Sequence, residues 1–129
     1  IDLSSYKTEL LDHGVVQYTD DADQSKVYGY YYWIFPNIML NFYEWGLSVN
    51  VVEPISKDKT KVKFLSYPIK NDNKTKQAIK DLVTVELEDQ SVVKSVNKGI
   101  KSGLYKKGRY SIMHEKGVHY FHRLLSYYI

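Results

Sequence analysis

Between residues 69 and 77 the chain changes its period, and that change limits the possible folds more than any other feature. Upstream, short runs of aromatic and β-branched residues alternate with turn residues. Residues 28–35 read as a strand stopped at Pro36-Asn37; residues 38–43 and 47–52 read as two more, and another begins at Lys61. Residues 5–19 read as an extended segment with a bend or bulge at Leu11-Asp12-His13-Gly14, residues 19–26 as a polar loop, and residues 54–59 as a turn. Closely spaced strands of this kind predict an antiparallel meander. After the polar connector IKNDNKTKQ, residues 76–102 follow a helical period. LYKKGRYS breaks the pattern, and residues 115–129 return to it. A sheet followed by a long helix predicts an α+β fold, with the helix covering one face of a curved sheet.

Composition narrows the function. A chain of 129 residues is the size of one domain. Its 43% apolar and 26% charged residues fit a soluble globular protein. The net charge is only +3, and the basic runs KDKTKVK and YKKGR are short and lie near turns. That predicts a solvated surface and no nucleic acid partner. The absence of cysteine excludes disulfides, thiolate catalysis and any iron–sulfur cluster held by these residues alone. No apolar run is long enough to span a membrane, and no signal peptide is visible, so the expected compartment is the cytoplasm. Thirteen residues are tyrosine, and most aromatics fall within YGYYYWIFPNIMLNFYEW. A packed sheet core and an aromatic-lined ligand cavity are both open readings of that bias.

The helical segment VELEDQSVVKSVNKGI holds a charge where none is expected. Taking about 100° per residue from Asp89, Ala78 and Val96 fall near −20°, and Leu82 and Ile100 near +20°. On the same step Val85 and Val93 lie near −40° and +40°, and Glu86 near +60°. Lys80, Lys94, Lys98 and Lys101 take the opposite side. Asp89 therefore sits at the centre of an apolar stripe. A buried carboxylate must be neutralised, paired or bound to a metal. Three readings are open at this point: a structural Asp satisfied by backbone N–H groups, tyrosine hydroxyls or Arg109; a catalytic or metal-ligating Asp; and a local distortion of the helix near the β-branched Thr84 and Val85.

His119 and His122 are i, i+3 neighbours that could share a metal. His122 also lies on the apolar stripe of Val118, Leu125 and Ile129, which favours a packed histidine. No HExxH, P-loop, GxGxxG or nucleophile-elbow motif occurs.

YYYWIFPNIMLNFY, followed by WGLSVNVVEPISKDKTKVKFLSYPI, resembles the catalytic domain of Rieske-type non-haem iron oxygenases, the α subunits of ring-hydroxylating dioxygenases and related choline and carnitine monooxygenases. VELEDQSVVKSVNKGIKSGLYKKGRYS and EKGVHYFHRLL resemble the closing helices of that family. The resemblance implies a helix-grip fold (START/Bet v 1-like), a curved antiparallel sheet packed on a long C-terminal helix. It also implies a role for Asp89, as the carboxylate of a two-histidine, one-carboxylate triad that holds mononuclear Fe(II). Ile79, Val85, Glu86, Val93, Val96, Trp33 and Phe35 are the candidate substrate-pocket residues. For the intact parent the resemblance implies activation of O2 to oxidise an organic substrate. It also implies electrons from NAD(P)H passing through a reductase or ferredoxin and a two-iron, two-sulfur Rieske cluster, and a homotrimer.

The motif for the two iron histidines and the Rieske cysteines do not occur in these residues. The expectation is therefore a single domain, residues 1–129, that forms the C-terminal portion of an oxygenase catalytic domain without its Rieske domain and is inactive alone. The alternative is a non-enzymatic helix-grip module that binds a small apolar ligand.

Overall fold

The structure is a computed structural model and describes residues 6–19 and 29–129. Tyr28 and residues 20–26 of the expected loop lie outside the described residues. The chain divides into two compact units, residues 1–69 with 111–129, and residues 70–110.

The first unit is built on a six-stranded antiparallel meander in sequence order: β1 (Tyr6–Leu11), β2 (Gly14–Thr19), β3 (Gly29–Ile34), β4 (Ile38–Tyr43), β5 (Gly46–Ser56) and β6 (Lys59–Pro68). What reads as one bent segment at residues 5–19 is a hairpin, with Leu11 opposite Gly14 across the turn Asp12-His13. Gly14 is required there because a Cβ would lie 2.3 Å from the Trp33 carbonyl oxygen. The strand expected over residues 38–43 is β4, with those bounds.

The expected turn at residues 54–59 is corrected. β5 continues through Pro54 to Ser56, with a register shift between those two residues, and only Lys57-Asp58 turn. The reason is geometric. β4 begins at Ile38, opposite Val51, and the Val52 N–H still bonds to the Asn37 carbonyl at 3.0 Å. Two residues on, the missing N–H of Pro54 faces the side where β4 has run out, so no ladder bond is lost. Beyond that point the β5–β6 hairpin continues as a two-stranded ribbon, with Lys63 paired to Glu53.

Pairing across the meander assigns the faces. One carries Thr8, Val15, Gln17, Tyr31, Trp33, Met39 and Asn41. The other carries Tyr18, Tyr30, Tyr32 and Phe42, whose rings contact in series at 5.7, 6.5 and 5.9 Å. The tyrosine-rich run thus supplies both faces of the sheet. On the second face Tyr18 donates to Glu9 Oε1 at 2.6 Å, and this bond, before any burial, raises the phenol pKa.

α2 (Lys116–Leu125) crosses the first face. Gly117 rests against Val15 and Thr8, where a Cβ would come within 3.3 Å of Val15 Cγ1. Tyr120 Oη lies 2.8 Å from the carbonyl oxygens of both Leu11 and Asp12. Phe121 meets Trp33 edge to face at 4.9 Å, and Leu124 is buried. A contact of that geometry is worth about 0.5–1.5 kcal/mol beyond the area it buries. The side of α2 turned to the sheet is therefore Gly117, Tyr120, Phe121 and Leu124; His122 is exposed, with its ring centroid 5.4 Å from that of Phe121.

The second unit contains α1 (Asn73–Lys101). It starts three residues before the apolar period because Asp72 caps it, its Oδ1 accepting from the Thr75 N–H at 2.8 Å. Lys98 and Lys101 occupy the last turn, where cations complement the helix dipole. The chain is thus α+β, with the antiparallel sheet and long helix of a helix-grip-like fold.

The cap gives a pH prediction. Bonds from Thr75, followed by the nearby Lys70 and Lys74, hold the Asp72 carboxyl below the usual carboxylate range. A depressed folded-state pKa contributes stability above the unfolded value, near pH ~4, and loses it as pH falls through the folded value. Asp72→Ala is expected to lower the helical circular dichroism signal at neutral pH, with the gap to the parent closing in acid. A gap that stays constant from pH 7 to pH 2 would contradict this role for the carboxylate.

Candidate functional site

The first unit carries an open cavity of about 740 Å³ on the α2-covered face of the sheet. Alternation in β2, β3 and β4 aims Gln17, Tyr31, Trp33, Met39 and Asn41 into it, while α2 supplies Val118, Phe121 and Leu125. Asn37, Val52, Pro54 and Thr60 close the end where β5 outruns β4. No Asp, Glu, Lys or Arg is among the described lining residues. Burial, with the neighbouring Tyr6 as a smaller cause, pushes the Tyr31 phenol pKa up, so it stays neutral at physiological pH. His114 also lines the cavity. The cavity is thus apolar, aromatic and nearly uncharged.

Of the residues expected to face a pocket, Trp33 lines this one. Phe35 stands beside it, with ring centroids 6.0 Å from Trp33 and 5.0 Å from Tyr128. Ile79, Val85, Glu86, Val93 and Val96 belong to α1 in the second unit. There the covered side runs through Thr75, Ala78, Ile79, Leu82 and Glu86, and the helix is exposed from Leu87 onward. Asp89 lies in that exposed stretch, so its carboxylate is hydrated, and the apolar positions around it, Val85, Val93 and Val96, are each more than half exposed.

A two-histidine, one-carboxylate iron site needs three protein donors. Asp89 brings one. Among the described residues no group of three or more His, Asp or Glu side chains is placed to hold a metal ion. By themselves these residues therefore do not fit the iron centre that the family resemblance implies.

The ring hydroxylating alpha subunit (catalytic domain) family matches residues 5–129, nearly the whole chain. The chain belongs to this family. It is 31% identical to choline monooxygenase (chloroplastic) of Arabidopsis thaliana over 98% of this chain and 33% of that protein. It is 28% identical to the choline monooxygenases of Amaranthus tricolor and Beta vulgaris, over 95% of this chain and 30% of each of them. The chain thus spans about a third of the length of these curated relatives. No solved structure matches it. Among the described residues no helix is long and apolar enough to cross a membrane.

Gln17, Asn41 and Phe121 were not legible as site residues in the sequence. A signal for Asn41 was available: in IMLNFY the period of two that places Met39 on one face places Asn41 there too. Phe121 had none, because only the docking of α2 brings it to Trp33.

Proposed function

We propose that this chain is the C-terminal part of the catalytic domain of an iron-dependent oxygenase α subunit that acts on a small quaternary amine. The family match and the choline monooxygenase relatives support the oxygenase class. One observation carries the amine: Trp33, Tyr31 and Phe121 line the cavity together, and no Asp, Glu, Lys or Arg is among its described lining residues. An aromatic face attracts a quaternary ammonium by about 0.5–1 kcal/mol at an exposed site and by about 2 kcal/mol once water is excluded. Such a cation cannot donate hydrogen bonds and needs no carboxylate partner. A lining without Lys or Arg also spares it repulsion.

In this proposal the chain's own contributions are the cavity and one carboxylate, Asp89. Oxygen activation belongs to groups outside its described residues. The Rieske cluster, the reductase that passes on electrons from NAD(P)H, and homotrimer assembly belong to the whole subunit and form part of the same proposal.

The test uses an α subunit that contains this chain, supplied with reductase and NAD(P)H. Oxygen uptake coupled to an oxygenated product is expected with choline and other short quaternary amines. Turnover of simple arenes with none of choline would sink the amine reading. Binding of either class without turnover would favour a ligand-binding module.

A further inference from the structure

The register of the sheet divides the cavity floor into two parallel rows. One row crosses all six strands as Thr8, Gln17, Tyr31, Asn41, Ser48 and Ser66, and each member can hydrogen-bond. The next row on the same face is Leu10, Val15, Trp33, Met39, Asn50 and Phe64, apolar at every strand but one. Where the cavity lies, a polar strip therefore runs beside an apolar aromatic one.

Most of the polar strip is already engaged or directed elsewhere. Gln17 Nε2 donates to Thr8 Oγ1 at 3.2 Å, and Ser48 Oγ to Asn50 Oδ1 at 3.2 Å. The Tyr31 hydroxyl lies over Gly29, where a Cβ would be 3.0 Å from it, and so points away from Trp33. The other amide in the lining, Asn37, donates to the Val52 carbonyl at 2.8 Å. Asn41 differs. It is half-buried, lines the cavity, and its side chain makes no hydrogen bond among the described residues. A carboxamide both donates and accepts, so a ligand hydroxyl can satisfy it in either sense.

We infer that Asn41 is a specificity-determining residue: it hydrogen-bonds a neutral hydroxyl substituent of the bound amine, while the Trp33 and Phe121 rings hold the ammonium end. This rests on the quaternary-amine reading above. Geometry supports the pairing. Asn41 faces Tyr31 and Trp33 faces Met39, so Asn41 and Trp33 are diagonal neighbours, roughly 7–8 Å apart between backbones. That separation suits a short two-ended molecule, with one bulky apolar or cationic end and one hydroxyl. The same cavity disfavours a carboxylate in place of the hydroxyl, because the described lining offers no Lys or Arg to pair with it.

The test is calorimetric titration of the full chain at pH 8, where an ordinary imidazole is neutral. Four probes are used: choline, ethyltrimethylammonium, glycine betaine and 3,3-dimethylbutan-1-ol. Choline is expected to bind about three- to tenfold more tightly than ethyltrimethylammonium, the range for one net hydrogen bond. Betaine is expected to bind more weakly than either. In Asn41→Leu the advantage of choline disappears while ethyltrimethylammonium binds as before, which also shows that the cavity is intact. Asn41→Ala, which likewise cannot hydrogen-bond through its side chain, takes its place if the leucine variant does not fold. Equal binding of choline and ethyltrimethylammonium by the parent, or an advantage that survives in the variant, overturns the inference. If dimethylbutanol binds as tightly as choline and the variant weakens both equally, Asn41 keeps its role and the ammonium reading falls. Failure of all four probes to bind overturns both.

Discussion

Replacing Asp89 by alanine in an α subunit that carries this chain is expected to abolish iron retention and oxygenation while leaving the stability of the iron-free subunit almost unchanged. The two halves of that expectation have different causes. Asp89 is exposed on α1, so among the described residues its removal leaves no cavity and no stranded partner. Exposed substitutions of that kind shift stability by no more than about 0.5 kcal/mol, and alanine has the higher helix propensity. An anionic iron ligand is another matter. Even residues one shell behind a metal ligand cost about 10–100-fold in metal affinity, so loss of the ligand itself is expected to exceed that. The measurements are iron per subunit by elemental analysis and the melting temperature of the iron-free subunit. A buried structural aspartate would give the reverse pattern, a loss of several kcal/mol with iron retained. Stoichiometric iron in the variant would remove Asp89 from the centre. The matching expectation for this chain on its own is weak binding of Fe(II) or none, and a tight one-to-one site would contradict the proposal.

The sequence reading of Asp89 shows where local pattern stops being informative. Periodicity located an apolar stripe and placed the carboxylate at its middle. It identified which side of the helix is apolar and said nothing about what covers that side. In the structure the covered side ends at Glu86.

The sheet was more legible, because alternation is set residue by residue. β4 could be read directly from IMLNFY. The course of β5 through Pro54 has a non-local cause. Proline stops a strand only where its missing N–H faces a neighbour, and whether it does depends on how far β4 reaches, which residues 52–56 do not encode. The start of α1 was hidden by the opposite bias. An apolar period cannot report a polar first turn, but Asp72 followed by Thr75 is a capping signal that can be read without any period. The cavity was half legible. The aromatics of β3 pointed to it, whereas the α2 wall depends on a tertiary contact between Phe121 and Trp33.

Gly46→Ala is expected to cost the first unit much of its stability. Gly46 opens β5 after the turn Glu44-Trp45 and is buried with φ of 147°, a conformation that L side chains rarely adopt. A Cβ there would lie 2.3 Å from the Tyr67 carbonyl oxygen and 2.9 Å from Pro68 Cα. Both obstacles are backbone atoms of β6, and the Ile69 N–H bond to the Trp45 carbonyl, 2.9 Å, holds that strand end in place. Relief therefore requires the two strands to separate at their open end, away from the Lys57-Asp58 turn. The dihedral penalty is about 1–3 kcal/mol and forced overpacking adds about 1–3 kcal/mol. A loss on that scale lowers the melting temperature by roughly 10 °C or more in a domain of this size. Trp33 and Trp45 both lie in the first unit, so tryptophan fluorescence during urea unfolding reads this loss separately from the helical signal of α1. Gly99→Ala supplies the contrast. It sits inside α1 with no heavy atom within 4 Å of a built Cβ. The only terms there are backbone entropy and helix propensity, which favour alanine by about 0.5–1 kcal/mol. The two substitutions add the same methyl group and are expected to act with opposite signs on different signals. A Gly46→Ala midpoint within experimental error of the parent would show that β5 and β6 are not held together at Gly46 as the structure has them.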